Sequence, residues 1–193
     1  MDITCAILSG GKSRRMGRDK ATVRVGKSTL IARTYGVVKE VFKDVMVVSS
    51  LHESIEGIPE RIVHDVLPIS GSLTGIASAL LNADTRYVFA LGCDMPFLTR
   101  AAMLYMVDRV HGQQIVIPKT EAGFEPLHAI YHRSCLSPML TALGKGHMKV
   151  SRLLPFFCVE TVPSNPSFFN RGVSVFTNVN TAEDLSSAER ALG

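Results

Sequence analysis

The chain has 193 residues, 46% hydrophobic and 20% charged, proportions that predict one domain, residues 1–193, with a substantial core. Its apolar runs fall far short of the roughly 18–20 residues a membrane span needs, and Asp2 precedes the first of them where a signal peptide would carry basic residues. Neither a membrane span nor a signal peptide is expected, and the cytoplasm is the expected compartment. The net charge is +4, but residues 12–27 set seven cations against Asp19 while the rest of the chain is at −2; so concentrated a patch fits a small polyanion rather than a nucleic-acid track.

Apolar runs alternate with helical patterns, which predicts an α/β domain with a largely parallel sheet. The first run, Ile3–Leu8, reads as a buried strand and leads straight into LSGGKSRRMGRDK at residues 8–20. Paired Gly10 and Gly11 let the backbone come close to an anion, and the amides and guanidinium forks around them suit phosphate oxygens. Two commoner phosphate loops do not fit. The glycines at 10, 11 and 17 are not G-x-G-x-x-G, and the G-K-S-T at 26–29 has Ala21 where a P-loop needs its first glycine.

Beyond the turn, helical character is expected over 29–39, followed by a strand at 45–49. The Ile62, Val63 pair then leads to His64 and Asp65, a carboxylate able to accept hydrogen bonds from a base or ribose. A helix over 73–82 has Ser72 as its expected cap, with Leu73, Ile76, Ala77, Leu80 and Leu81 along one face. The strand Tyr87–Gly92 ends in Cys93, Asp94, Met95 and Pro96, which puts Asp94 on the same carboxyl edge as the glycine turn. An acid so placed is suited to Mg²⁺, which takes one or two carboxylates together with substrate phosphates.

Thr99 is the expected cap of a helix over 100–110. Strands follow at 115–118, 127–132 and 157–162, shorter helices at 135–143 and 150–154, a turn at 121–125 and a surface loop at 163–171. Thr181 to Asp184 forms a capping-box variant that opens a last helix. His128 and His132 lack the glutamate of H-E-x-x-H and a nearby third ligand, and no nucleophile elbow is present. Cys5, Cys93, Cys135 and Cys158 are widely spaced and read as buried free thiols.

Taken together, residues 8–20, the C-D-M-P at 93–96 and the F-T-N-V-N-T-A-E-D-L at 176–185 resemble the molybdenum cofactor guanylyltransferases. The first is similar to that family's L-A/S-G-G-x-S-x-R-M-G-x-D-K. The last is similar to its F-x-N-V/I-N-T-x-E-D-L, and G-S-L-T-G at 71–75 to its G-P-L-A-G. The resemblance covers nearly the whole chain. It implies a three-layer Rossmann-like nucleotidyltransferase fold and transfer of GMP from GTP to the terminal phosphate of molybdopterin.

By the same resemblance Leu8, Ser9, Gly10, Gly11 and Asp65 would receive GTP, Arg15 and Lys20 would meet its phosphates, and Asp94 would hold Mg²⁺. Asn178 and Asn180 would lie on the molybdopterin side. Cofactor-biosynthesis proteins or molybdoenzyme chaperones are the protein partners it implies. Ser49 stands where some members carry Asn, and Ser72 replaces the proline of G-P-L-A-G. Cytidylyl and sugar-phosphate nucleotidyltransferases share the turn and the acid and remain the alternative; a nucleotide-binding regulator without chemistry is the reading from another class.

Overall fold

The structure is a computed structural model that describes residues 2–9, 12, 13, 18, 19, 23–49, 54, 55, 57–67, 69 and 71–193, with residues 12, 13, 18 and 19 described in their backbone alone. Strand β1 (Ile3–Leu8) is followed by two small hairpins, β2 (Lys12–Ser13) with β3 (Arg18–Asp19) and β4 (Arg24–Val25) with β5 (Ser28–Thr29). Helix α1 (Leu30–Lys39) leads to β6 (Val45–Val48) and β7 (Arg61–Val63), and α2 (Ser72–Asn82) leads to β8 (Tyr87–Gly92). Next come α3 (Arg100–Val107), β9 (Ile115–Thr120), β10 (Gly123–Phe124), β11 (His128–His132) and α4 (Leu136–Gly144). The chain closes with β12 (Val159–Val162), the hairpin of β13 (Phe169–Asn170) and β14 (Val173–Ser174), and α5 (Ala182–Leu192).

Among the described residues the main sheet runs β7-β6-β1-β8-β11-β9, with β10 and β12 also paired to β9. Strands β7, β6, β1 and β8 are mutually parallel, as are β9 and β12, whereas β11 runs antiparallel between β8 and β9. The sheet is thus mostly parallel, and β8 and β9 point the same way across the reversed β11. The chain leaves β1 for β6 and β7 on one side, then returns across β1 to β8 on the other. That reversal opens a crevice at the carboxyl ends, the place where open α/β sheets take their ligands.

The pleat sorts the strand residues into two cores. Cys5, Ile7, Val45, Val47, Phe89 and Leu91 pack with Ile31 and Val38 of α1 and Met103 and Met106 of α3. Ala6, Leu8, Met46, Val48, Val88 and Ala90 face Leu73 and Ile76 of α2 and Met139 and Leu143 of α4. These are the three layers expected from the sequence. Each fully buried large aliphatic side chain contributes roughly 1.5–3 kcal/mol, so strands buried on both faces read as unbroken apolar runs.

The helix starts mix agreement and correction. Thr99 caps α3 by accepting from the Ala102 amide at 3.2 Å, and Thr181 caps α5 while Asp184 Oδ2 accepts from the Thr181 amide at 2.8 Å. Thr29 is the cap of α1 rather than its first residue, and Gly71, not Ser72, caps α2. The helix expected over 100–110 ends at Val107, and 150–154 forms two short 3₁₀ turns around Leu153, with Pro155 in the second. The loop expected over 163–171 holds a 3₁₀ turn at 166–168 and the first strand of the β13–β14 hairpin. Cys158 is exposed, contrary to the expectation of burial; Cys5, Cys93 and Cys135 are buried thiols, as expected. No helix among the described residues is long and apolar enough to cross a membrane.

Candidate active site at the carboxyl edge of the sheet

Backbone hydrogen bonds extend the parallel ladder one residue past the strands. Ser9 donates its N–H to Val48 O at 2.9 Å, Ser49 to Val63 O at 2.9 Å, and Cys93 to Leu8 O at 3.2 Å. Ser9, Ser49 and Cys93 therefore stand side by side where the crevice opens. Ser9 is only 4% exposed, and its Oγ makes no hydrogen bond among the described residues. A buried hydroxyl in that state costs roughly 1–3 kcal/mol, a cost that a polar ligand at this edge would relieve.

Leu8 is pinned from above by α2. A methyl placed on Gly75 would lie 2.1 Å from Leu8 Cδ2, so glycine lets the first turn of α2 settle on the end of β1 with the Leu8 side chain in this position. No side-chain hydrogen bond caps α2, and its amide dipoles favour negative charge at that end. Of the other residues expected at the phosphates, Gly10, Gly11, Arg15 and Lys20 lie outside the described residues, as do Arg14 and the side chains of Lys12 and Arg18.

Asp94 sits two residues beyond β8 and is 9% exposed. The segment that carries it is held firmly: the Thr34 hydroxyl donates to Cys93 O at 3.4 Å, Arg33 Nε to Pro96 O at 3.0 Å, and Leu98 N–H to Met95 O at 3.3 Å. Gly92 makes room for the carboxylate, because a Cβ there would fall 2.7 Å from Asp94 Oδ1. The Asp94 carbonyl accepts from the Val179 amide at 3.0 Å, and this bond draws the C-terminal segment to the acid across more than eighty residues of sequence.

Asn178 and Asn180 flank that contact. Asn178 Oδ1 is buried without a hydrogen bond among the described residues, a second orphaned acceptor at the same edge. Asn180 is tied through its backbone to α5, its amide donating to Asp184 Oδ2 at 2.9 Å.

Asp65 follows β7 at the far side of the crevice. Its Oδ1 accepts from the Ser78 hydroxyl at 3.2 Å; the same hydroxyl reaches Thr74 O at 2.8 Å and accepts from the Val66 amide at 3.0 Å. Desolvation raises the Asp65 pKa, with the Ser78 hydrogen bond and the charge of His64 opposing it. Ser78 was not among the residues expected from the sequence. The available signal was a pair of hydroxyl residues, Thr74 and Ser78, four apart on the buried face of an otherwise apolar helix. Thr74 Oγ1 is also buried and without a hydrogen bond among the described residues.

His128 is part of the core. Its ring meets Phe89, Phe168 and Phe176 edge-on, and burial drives its pKa down to about 3, opposed by the facing Ala102 backbone. Among the described residues no group of three or more His, Cys, Asp or Glu side chains is placed to share a metal.

Along the carboxyl edge the order is therefore Asp65, Ser49, Ser9 and Asp94, with Asn178 held against the last. Residues 5–156 match the model of the MobA-like NTP transferase domain. A protein from Desulfosudis oleivorans named molybdenum cofactor guanylyltransferase is 32% identical over 193 residues, covering 98% of this chain and 96% of that one. The crystal structure of molybdopterin-guanine dinucleotide biosynthesis protein A from Archaeoglobus fulgidus superposes with a TM-score of 0.85 at 26% identity, over 98% of both chains. The 2-C-methyl-D-erythritol 4-phosphate cytidylyltransferase of Thermus thermophilus shares the fold at a TM-score of 0.73, 15% identity and full coverage of both chains. With the glycine turn, the strand-end acid and the C-terminal asparagines all within that likeness, the chain belongs to the MobA-like nucleotidyltransferase family.

Proposed function

We propose that the protein transfers GMP from GTP to the terminal phosphate of molybdopterin, forming molybdopterin guanine dinucleotide and releasing pyrophosphate. The observation that carries this reading is the Val179–Asp94 backbone bond, which brings the asparagine segment against the acid beside the end of β1. Support comes also from the names of the relatives over nearly their whole length. Among the relatives the cytidylyl reading is supported only by a fold likeness at 15% identity.

The acceptor phosphate is already an anion, so its oxygen attacks the α-phosphorus without a general base. As the new P–O bond forms, the bond from the α-phosphorus to the bridging oxygen breaks, and its electron pair leaves with pyrophosphate. What the protein must supply is alignment of two polyanions and neutralisation of the charge that gathers on the leaving oxygen. Arg15 and Lys20 do this from the glycine turn, whose amides hold the phosphates.

The residues present fit Mg²⁺: one carboxylate, Asp94, in space that Gly92 leaves open, with substrate phosphates to complete the set. Bound there, the ion supplies charge neutralisation at phosphate oxygens. Asp65 orients the nucleoside from the β7 side. Thermal shift with GTP, CTP and ATP in the presence of Mg²⁺ tests the nucleotide assignment: GTP raises the melting temperature most, and an equal or larger shift with CTP would overturn it.

A further inference from the structure

A cavity of about 510 Å³ opens between the β9–β10 hairpin and the 164–177 segment, and nothing in the reaction as written above uses it. Its walls include Thr120 and Glu125 on one side and Phe168, Phe169, Phe176 and Thr177 on the other. Phe169 is 49% exposed, so part of its ring is open where it lines the cavity. Glu125 is half-buried; its Oε1 accepts from the Thr120 hydroxyl at 3.3 Å, and its Oε2 has no hydrogen bond among the described residues. Burial raises its pKa.

Both walls are anchored to the strand end that carries Asp94. Thr177 precedes Asn178 and Val179, whose amide bonds the Asp94 carbonyl, and Leu127, two residues after Glu125, accepts from the Gly92 amide at 3.1 Å. Because β9 and β8 point the same way, the β9–β10 hairpin emerges on the carboxyl edge, two strands from β8 and on the side opposite Asp65. Strands lie about 4.8 Å apart, which sets Glu125 on the order of 10 Å from Asp94 along the edge. That is the reach of a fused-ring acceptor whose phosphate lies at Asp94.

We propose that this cavity is the pterin subsite and that Glu125 is its specificity-determining residue, its carboxylate accepting from the adjacent 2-amino and ring N–H groups of the 2-amino-4-oxo edge. The assignment rests on the guanylyl-transfer reading for the identity of the acceptor. The two oxygens of a carboxylate match two parallel donors, and the phenylalanine rings supply apolar faces for the heterocycle. Guanine carries the same pair of donors, but Asp65 and Ser9 lie across Asp94 from this cavity, so the nucleotide occupies the other half of the edge.

The test uses intrinsic fluorescence of two ring systems that need no turnover: pterin, and lumazine, which has a carbonyl where pterin has the 2-amino group. Titrated with wild-type protein, pterin binds about tenfold or more tightly than lumazine, a preference lost in Glu125→Gln and Glu125→Ala and retained in Glu160→Gln, whose carboxylate is exposed on β12 outside the cavity. In the transfer assay Glu125→Gln raises KM for molybdopterin about tenfold and leaves KM for GTP and the GTP thermal shift unchanged. Equal pterin and lumazine affinity in the wild type, or an unchanged preference in both Glu125 variants, overturns the subsite. A rise in KM for GTP instead assigns Glu125 to guanine and overturns it as well. Pterin preference without any guanylyl transfer would leave the subsite standing and sink the proposed reaction.

Discussion

Gly92→Ala separates the fold from the chemistry more cleanly than removal of Asp94 does. A methyl at this position falls 2.7 Å from Asp94 Oδ1, while its other neighbours, Leu127 Cδ1 and Cβ, are at 3.7 and 3.8 Å. Carbon and oxygen rest no closer than about 3.3–3.6 Å, so the carboxylate must retreat by roughly 0.6–0.9 Å while the strand stays in place. For stability, loss of a strand glycine gains about 0.5–1 kcal/mol, and an off-rotamer aspartate costs about 0.5–1.5 kcal/mol. The two nearly cancel, and the melting temperature stays within about 2–4 °C of wild type. For catalysis, a displacement approaching 1 Å in an aligned site costs up to about a hundredfold, so kcat for pyrophosphate release falls between about tenfold and a hundredfold. Activity within twofold of wild type would refute the placement of Asp94 in the reaction, and a melting temperature lower by 10 °C would refute the packing.

Asp94→Ala abolishes Mg²⁺-dependent transfer while circular dichroism and melting stay close to wild type; retained turnover would exclude it as the metal-binding acid. Lys20→Ala lowers kcat/KM far more than Lys145→Ala, whose side chain lies on the exposed end of α4; equal losses would contradict the phosphate assignment. Ser78→Ala, which removes the hydroxyl at Asp65 Oδ1, raises KM for GTP several-fold with kcat nearly unchanged, as steady-state kinetics would show. His128, held neutral to about pH 3 in the fold but titrating near 6.5 when unfolded, contributes fully above pH 6.5. Below that the unfolded chain takes up the proton first, and stability falls by about 1.4 kcal/mol per pH unit. Between pH 6.5 and 4.5 the wild type should therefore lose roughly 2–3 kcal/mol more than His128→Leu in urea titrations.

The central strands were legible because burial on both faces leaves an unbroken apolar run, as in Ile3–Leu8 and Tyr87–Gly92. Strand β7 was not, since three residues beginning with Arg61 carry no period of their own; pairing with Met46, Val47 and Val48 makes them a strand. The apolar pattern of α3 continues to Val110, but Arg109 and Val110 bond back three residues, to Met106 and Val107, in a tightening turn that ends the helix at Val107. The β13–β14 hairpin was hidden by its turn residues: Arg171 at φ 51 and Gly172 at φ 81 take a conformation that Asn-Gly would have announced. At the site, Asp94 and the glycine turn stand out because each ends a strand. The Asp65–Ser78 contact and the Val179–Asp94 bond do not, because both depend on how distant segments pack.

The most direct test is turnover itself: purified protein with molybdopterin, Mg²⁺ and one nucleoside triphosphate at a time, followed by pyrophosphate release and product mass. With GTP, pyrophosphate and molybdopterin guanine dinucleotide should appear in equal amounts, and with CTP or ATP at least tenfold more slowly. A cytidine dinucleotide formed as fast, or no dinucleotide with GTP, would contradict the reading of this site as a guanylyl-transfer centre.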